Sequence, residues 1–207
     1  MIARLLTVAL IATPTSPRAK APMPRPALVE VTSAVPDAVV ELKYATDDNF
    51  MKRAVYPATA RCLVLAPMAE KLAQVARAVA SKGYRLKFYD CYRPHSVQFE
   101  MWKVYPHKGY VAEPTSGSHH NRGAAVDLTL VTSEGQPVEM PTPYDTFSRA
   151  AFHSSTQGSA EARAHRDLLR TACEAAGLKR NPMEWWHYEL PEAVTFPLRD
   201  EPFAATE

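Results

Sequence analysis

Ser118-His119-His120-Asn121-Arg122-Gly123-Ala124-Ala125-Val126-Asp127-Leu128-Thr129-Leu130 puts two histidines, a glycine and an aspartate at the mouth of an apolar run. Ala125 to Val131 reads as a buried strand interrupted by Asp127. A carboxylate among Ala125, Val126, Leu128 and Leu130 is costly to bury unpaired. A bound metal removes that penalty; an edge position or a buried ion pair is the plainer alternative. The spacing to Gly123 and Asp127 selects His120 over His119 as the imidazole that meets Asp127, with Gly123 easing the reversal of the loop.

Glu184-Trp185-Trp186-His187 completes the pattern. His187 adds a second imidazole, and Glu184 is a carboxylate left over. Three protein ligands with an open fourth position suit a catalytic zinc, whereas a structural zinc is closed by four. Glu184 is then the candidate general base for an attacking water. On an ideal strand residues three apart face opposite ways, so Glu184 is expected in the turn after Pro182, just ahead of the strand. No H-E-x-x-H run is present, which excludes a helical zincin. At least one of Trp185 and Trp186 reads as core. Arg93, between Tyr89-Asp90-Cys91-Tyr92 and Pro94, offers rigid, permanently charged donors at a fixed turn. Such a group suits a developing oxyanion, against the alternative of a surface salt bridge.

The surrounding pattern mixes strands and helices without βαβ alternation. A first strand is predicted at Val39 to Tyr44, and a helix from Pro67 to Lys82 with Gly83 as its stop. A strand follows at Arg85 to Tyr89, then a helix opened by Pro94 through about Val104, and a loop up to Gly117 of the length that is usually functional or disordered. A third helix spans Ser159 to Ala176, capped by Ser159, and Trp185 to Leu190 is the last strand. The fold class is α+β, an antiparallel sheet flanked by helices with the zinc site on the sheet.

Across 207 residues, 46% hydrophobic and 22% charged residues are those of an ordinary globular chain, and a net charge of +2 without a basic run gives no nucleic-acid partner. Residues 1–21 read as a signal peptide: a basic start, the short apolar run Leu5 to Ala12, and Ala19-Lys20-Ala21, too short to span a bilayer. Residues 22–37 are rich in proline and read as a surface arm, leaving 38–207 as the domain. Periplasmic or secreted localisation follows, with a cytoplasmic location as the alternative. Of Cys62, Cys91 and Cys173, the odd count leaves at least one thiol free, and Cys62 and Cys91 sit where they can pair in an oxidising compartment.

Taken together, these residues resemble the D-alanyl-D-alanine dipeptidases, a family of zinc peptidases. The marks are Leu42-Lys43-Tyr44-Ala45-Thr46 with Asp48-Asn49-Phe50, Tyr89-Asp90-x-Tyr92-Arg93-Pro94, Ser118-x-His120-x-x-Gly123-x-Ala125-x-Asp127-Leu128-Thr129-Leu130 and Glu184-Trp185-Trp186-His187-Tyr188. The resemblance implies the family's α+β, hedgehog-like fold, one Zn2+ per chain and hydrolysis of D-Ala-D-Ala, a small dipeptide. It implies His120, Asp127 and His187 as zinc ligands, Glu184 as general base and Arg93 as stabiliser of the tetrahedral intermediate. Tyr44 and Asp145 match the family's holders of the dipeptide ammonium, and Ser118 matches a residue near its carboxylate end. The export signal, the cysteines and a shorter stretch before Ser118 depart from the vancomycin-resistance type. They favour peptidoglycan turnover or D-alanine recovery over a resistance role. The competing expectations are a D,D- or L,D-carboxypeptidase on stem peptides and a zinc-stabilised wall-binding module.

Overall fold

The computed structural model describes residues 26–203. The signal-peptide expectation for 1–21 lies outside the described residues. Two strands, β1 (Leu28–Glu30) and β3 (Leu63–Leu65), form an antiparallel ribbon. The main sheet has the order β2-β4-β5-β7-β6, from β2 (Val39–Val40), β4 (Tyr84–Asp90), β5 (Ala125–Thr132), β6 (Lys179–Arg180) and β7 (His187–Glu189). Its β2–β4 edge is parallel and the remaining pairings are antiparallel.

Helix α3 (His95–Val104) follows β4, and helices α2 (Ala66–Ala80) and α4 (Ala160–Ala175) pack on each other and against β4 and β5. Leu72, Val75 and Val79 of α2 and Leu169 and Cys173 of α4 are buried there, as their helical spacing predicts. Ser159 caps α4, its hydroxyl accepting from the Ala162 N–H at 2.9 Å. Strand side chains alternate between faces. Val126, Leu128 and Leu130 join the core with Leu86 and Phe88, so Asp127 points to the opposite side.

The register then builds the site. Phe88 pairs with Leu128, but a shift between Phe88 and Asp90 brings Asp90 opposite Asp127, and Asp127 opposite His187 on β7. Directly paired residues share a face. The irregularity therefore moves Asp90 from the helix-facing side to the side of Asp127 and His187. Gly123, at φ 68°, turns the chain into β5 where an added Cβ would lie 2.4 Å from Leu28 Cδ2.

Three expectations are corrected. The described part of the surface arm expected for 22–37 is built into the fold: β1 pairs with β3, α1 (Val31–Ala34) follows, and Val31 and Val35 are fully buried. Proline punctuation masked two apolar anchors in that stretch. The first strand is reduced to Val39–Val40, with Lys43–Ala45 forming a 3-10 turn that buries Tyr44. The last strand begins at His187 rather than Trp185, because residues 182–186 are spent in turns. Among the described residues, no helix is long and apolar enough to cross a membrane.

Candidate active site

His120, Asp127 and His187 converge. Asp127 Oδ1 lies 3.0 Å from His187 Nδ1 and 3.3 Å from His120 Nε2, and the two ring nitrogens are 3.1 Å apart. A tetrahedral centre with ligands at about 2.0–2.1 Å has edges of about 3.3–3.4 Å, so the triangle fits one metal ion. The outer hydrogen bonds fix the same assignment. His120 Nδ1 donates to the Cys91 carbonyl at 2.8 Å, and His187 Nε2 donates to Glu189 Oε2 at 3.3 Å. Each ring therefore turns its remaining nitrogen to the common point. Tyr144 donates to Asp127 Oδ2 at 2.8 Å, leaving Oδ1 for the metal.

The electrostatics of the metal-free cluster also call for a cation. Burial works against the charge on Asp127, yet His120 and His187 hold its carboxyl well below the usual range. Burial likewise opposes protonation of His187, but the hydrogen bonds to Asp127 and Glu189 push its pKa up to about 10. A buried carboxylate facing two imidazoles keeps a proton until a metal replaces it.

Glu184 sits in the turn before β7 and lines the same cavity, of about 190 Å³. Burial, reinforced by Asp127 and Asp145, pushes its pKa up to about 8. Asn181 Nδ2 donates to Glu184 Oε2 at 2.7 Å, which orients the carboxylate. Arg93 is buried at the cavity wall rather than in a surface salt bridge. Its Nε and Nη2 donate to Asp90 Oδ2 at 3.1 and 2.6 Å, and its Nη1 donates to Gln98 Oε1 at 2.9 Å. Asp90 in turn accepts from Tyr56 Oη at 2.8 Å.

Tyr44 and Asp145 meet in the wall beside Arg93, whose guanidinium carbon lies 5.3 Å from the centre of the Tyr44 ring. The Tyr44 hydroxyl donates to both Asp145 oxygens at 3.1 and 3.2 Å, and the Phe50 N–H donates to Asp145 Oδ2 at 3.2 Å. Burial, and next the charge of Asp127, raises the Asp145 pKa to about 7. Ser118 also lines the cavity, its hydroxyl accepting from the His120 N–H at 3.2 Å. The structure thus gathers all eight sequence-predicted site residues around one cavity. The expected loop before Gly117 supplies Lys108 to Ala112 to the same walls.

Sequence reading missed the supports: Asp90, Gln98, Tyr144, Glu189 and His119. Glu189 had a signal, since a residue two beyond His187 on a strand shares its face. Cys62 and Cys91 are disulfide-bonded, and Cys173 is free and buried.

Known proteins carry the same pattern. A family model described as D-ala-D-ala dipeptidase matches residues 25–205. The D-alanyl-D-alanine dipeptidase of Escherichia coli K12 is 36% identical over 86% of this chain and 91% of its own length. Those of Enterococcus faecium and Enterococcus faecalis V583 are 32% and 34% identical, over 79% and 72% of this chain and 87% and 84% of theirs. Matched nearly end to end, and bringing together a His-Asp-His group that could hold the metal on which this family depends, the chain belongs to the D-Ala-D-Ala dipeptidase family.

Proposed function

We propose that this protein is a zinc-dependent dipeptidase that hydrolyses free D-Ala-D-Ala to two D-alanines. The observation that carries the reading is the pairing, within one cavity of about 190 Å³, of a His-Asp-His group that could hold a metal with the half-buried Asp145 carboxylate. Two nitrogens and one carboxylate oxygen at tetrahedral spacing favour zinc, although cobalt or manganese can use such donors in vitro.

When bound at His120, Asp127 and His187, the zinc supplies Lewis acidity to the scissile carbonyl and acidifies a water. Asp145, with Tyr44 and the Phe50 N–H, anchors the substrate ammonium. Ser118, beside His120, faces the carboxylate end. Glu184 accepts a proton from the attacking water and returns it to the leaving amine as the amide C–N bond breaks. Asn181 holds Glu184 in place for both transfers. Arg93, fixed by Asp90 and Gln98, presents its guanidinium to the oxygen that gains charge, and its pose needs no rearrangement at that moment.

Export belongs to the same reading: the Cys62–Cys91 disulfide supports an oxidising compartment. Peptidoglycan turnover or D-alanine recovery in the periplasm is the matching role. A D,D- or L,D-carboxypeptidase would share the metal site but has no use for an ammonium anchor. The test compares D-alanine release from free D-Ala-D-Ala and from its N-acetylated form by the zinc-loaded protein. Cleavage of the free dipeptide alone is expected. Cleavage of the acetylated form would make the protein a carboxypeptidase, and cleavage of neither would leave a binding module.

A further inference from the structure

We propose that Glu189 and His119 are positioning residues, a carboxylate–imidazole brace that locks His187 in its metal-facing tautomer. This rests on His120, Asp127 and His187 being the metal site. Glu189 Oε2 accepts from His187 Nε2 at 3.3 Å and from His119 Nδ1 at 2.6 Å. Two ring N–H groups thus converge on one oxygen, while Glu189 Oε1 lies 3.4 Å from Lys179 Nζ. The Glu189 side chain is only 13% exposed and that of His119 is 32% exposed, and both border the cavity.

The geometry separates this brace from an ordinary ion pair. An imidazole binds a metal through one nitrogen only when its proton sits on the other. The Cys91 carbonyl imposes that condition on His120, and Glu189 is the group placed to impose it on His187. His119 then does for Glu189 what Glu189 does for His187. The brace also crosses between the two segments that bring the ligands together. His119 precedes His120, and its carbonyl accepts from the Ala124 N–H at 3.1 Å. Ala124 in turn accepts from the Leu190 N–H, next to Glu189, at 2.9 Å. Backbone and side chains therefore tie the His120 turn to β7 on both sides of the ligands.

The test is metal affinity of the full chain, measured by titrating metal-free protein with Zn2+ against a competing chelator, and the visible spectrum of its Co2+ form. Outer hydrogen-bond partners of metal-bound histidine are worth about 10–100-fold in affinity. Glu189→Ala is expected to weaken Zn2+ by that amount and to shift the Co2+ absorption bands. Glu189→Gln keeps an acceptor oxygen and should recover most of the loss. His119→Ala should weaken Zn2+ less. Glu189→Ala with His119→Ala should be no worse than Glu189→Ala alone, because His119 acts through Glu189.

Wild-type affinity with an unchanged Co2+ spectrum in Glu189→Ala would overturn the brace, as would full additivity in the double variant. Where Glu189→Ala does not fold, His119→Ala decides alone: an unchanged affinity and spectrum refute the proposal. Failure of the unmodified protein to bind one Zn2+ would instead refute the metal-site reading beneath it.

Discussion

The two walls of the cavity are built in different ways. The metal wall stands largely on neighbouring strands: Asp90, Asp127 and His187 are brought side by side by the ladder register of β4, β5 and β7, and His120 joins them from the short 3-10 turn just ahead of β5. The anchor wall stands on irregular chain. Tyr44 comes from a 3-10 turn, and Asp145 from a proline-rich segment in which it adopts φ 58°. A left-handed conformation costs a non-glycine residue on the order of 1–2 kcal/mol and persists where surrounding contacts hold it. Here the contacts are the Tyr44 hydroxyl and the Phe50 N–H. The difference separates the chemistry, which needs ligands fixed to fractions of an ångström, from substrate choice, which loops can vary without disturbing the sheet.

Substitutions should expose that division. The largest effect belongs to Glu184. Glu184→Ala should lower kcat by about 10²–10⁴, the range of a lost general base, while the protein still binds one zinc by elemental analysis. Loss of zinc from that variant would show a ligand where a base was assigned. Next comes Arg93→Ala, with an expected fall in kcat of about 10²–10³ and a smaller change in KM. A defect confined to KM would move Arg93 to the substrate-binding side of the comparison.

The same division explains what the sequence makes legible. Asp127 announces itself because a charge inside Ala125-Val126-Asp127-Leu128 needs a partner, and Gly123 and His120 stand at fixed offsets from it. Glu184 and His187 are readable because strand periodicity forces one of them into the preceding turn, where it is found. Tyr44 and Asp145 carry no such mark, and only family resemblance singles them out. They are 101 residues apart and meet through loops whose path no periodicity encodes. The Phe88/Asp90 register shift is equally silent, although it places the carboxylate that holds Arg93. The burial of Val31 and Val35 was hidden by the prolines around them, since apolar residues in a short irregular segment show no period at all.

The disulfide lies behind the metal wall and offers a third test. Cys91 is bonded to Cys62, and its carbonyl accepts from His120 Nδ1. Closing a loop of 29 residues is worth about 3–4 kcal/mol in the chain-entropy account. Cys62→Ser with Cys91→Ser should lower unfolding stability by about that much in urea titrations. It should also weaken zinc binding while leaving the KM of the zinc-saturated enzyme near its original value. A change in KM without loss of zinc affinity would mean that the staple serves the anchor wall instead.

Asp145 has the smallest effect on turnover and the most specific signature. Asp145→Asn removes a charged anchor, worth about 1.5–3 kcal/mol for a hydrogen bond to a charged group. KM for the free dipeptide should therefore rise about tenfold to a hundredfold, with kcat nearly kept. The pH dependence follows from its raised pKa of about 7 against an ordinary 3.8. In the proposed role the ionised form of Asp145 binds the ammonium, so kcat/KM should fall on the acid side. A bound dication cancels the contribution of Asp127, which sets that limb at or below about 7 in the loaded enzyme. For folding the sign is opposite. Between about 4 and 7 the unfolded chain loses this proton while the folded metal-free protein keeps it, so the group's contribution to stability falls as pH rises and is lowest above 7. Asp145→Asn should consequently be more stable than the unmodified metal-free protein at pH 8, and the gain should vanish near pH 4. A variant that binds dipeptide poorly yet unfolds later at high pH would show that the anchor wall gives up stability to hold a charge for the substrate.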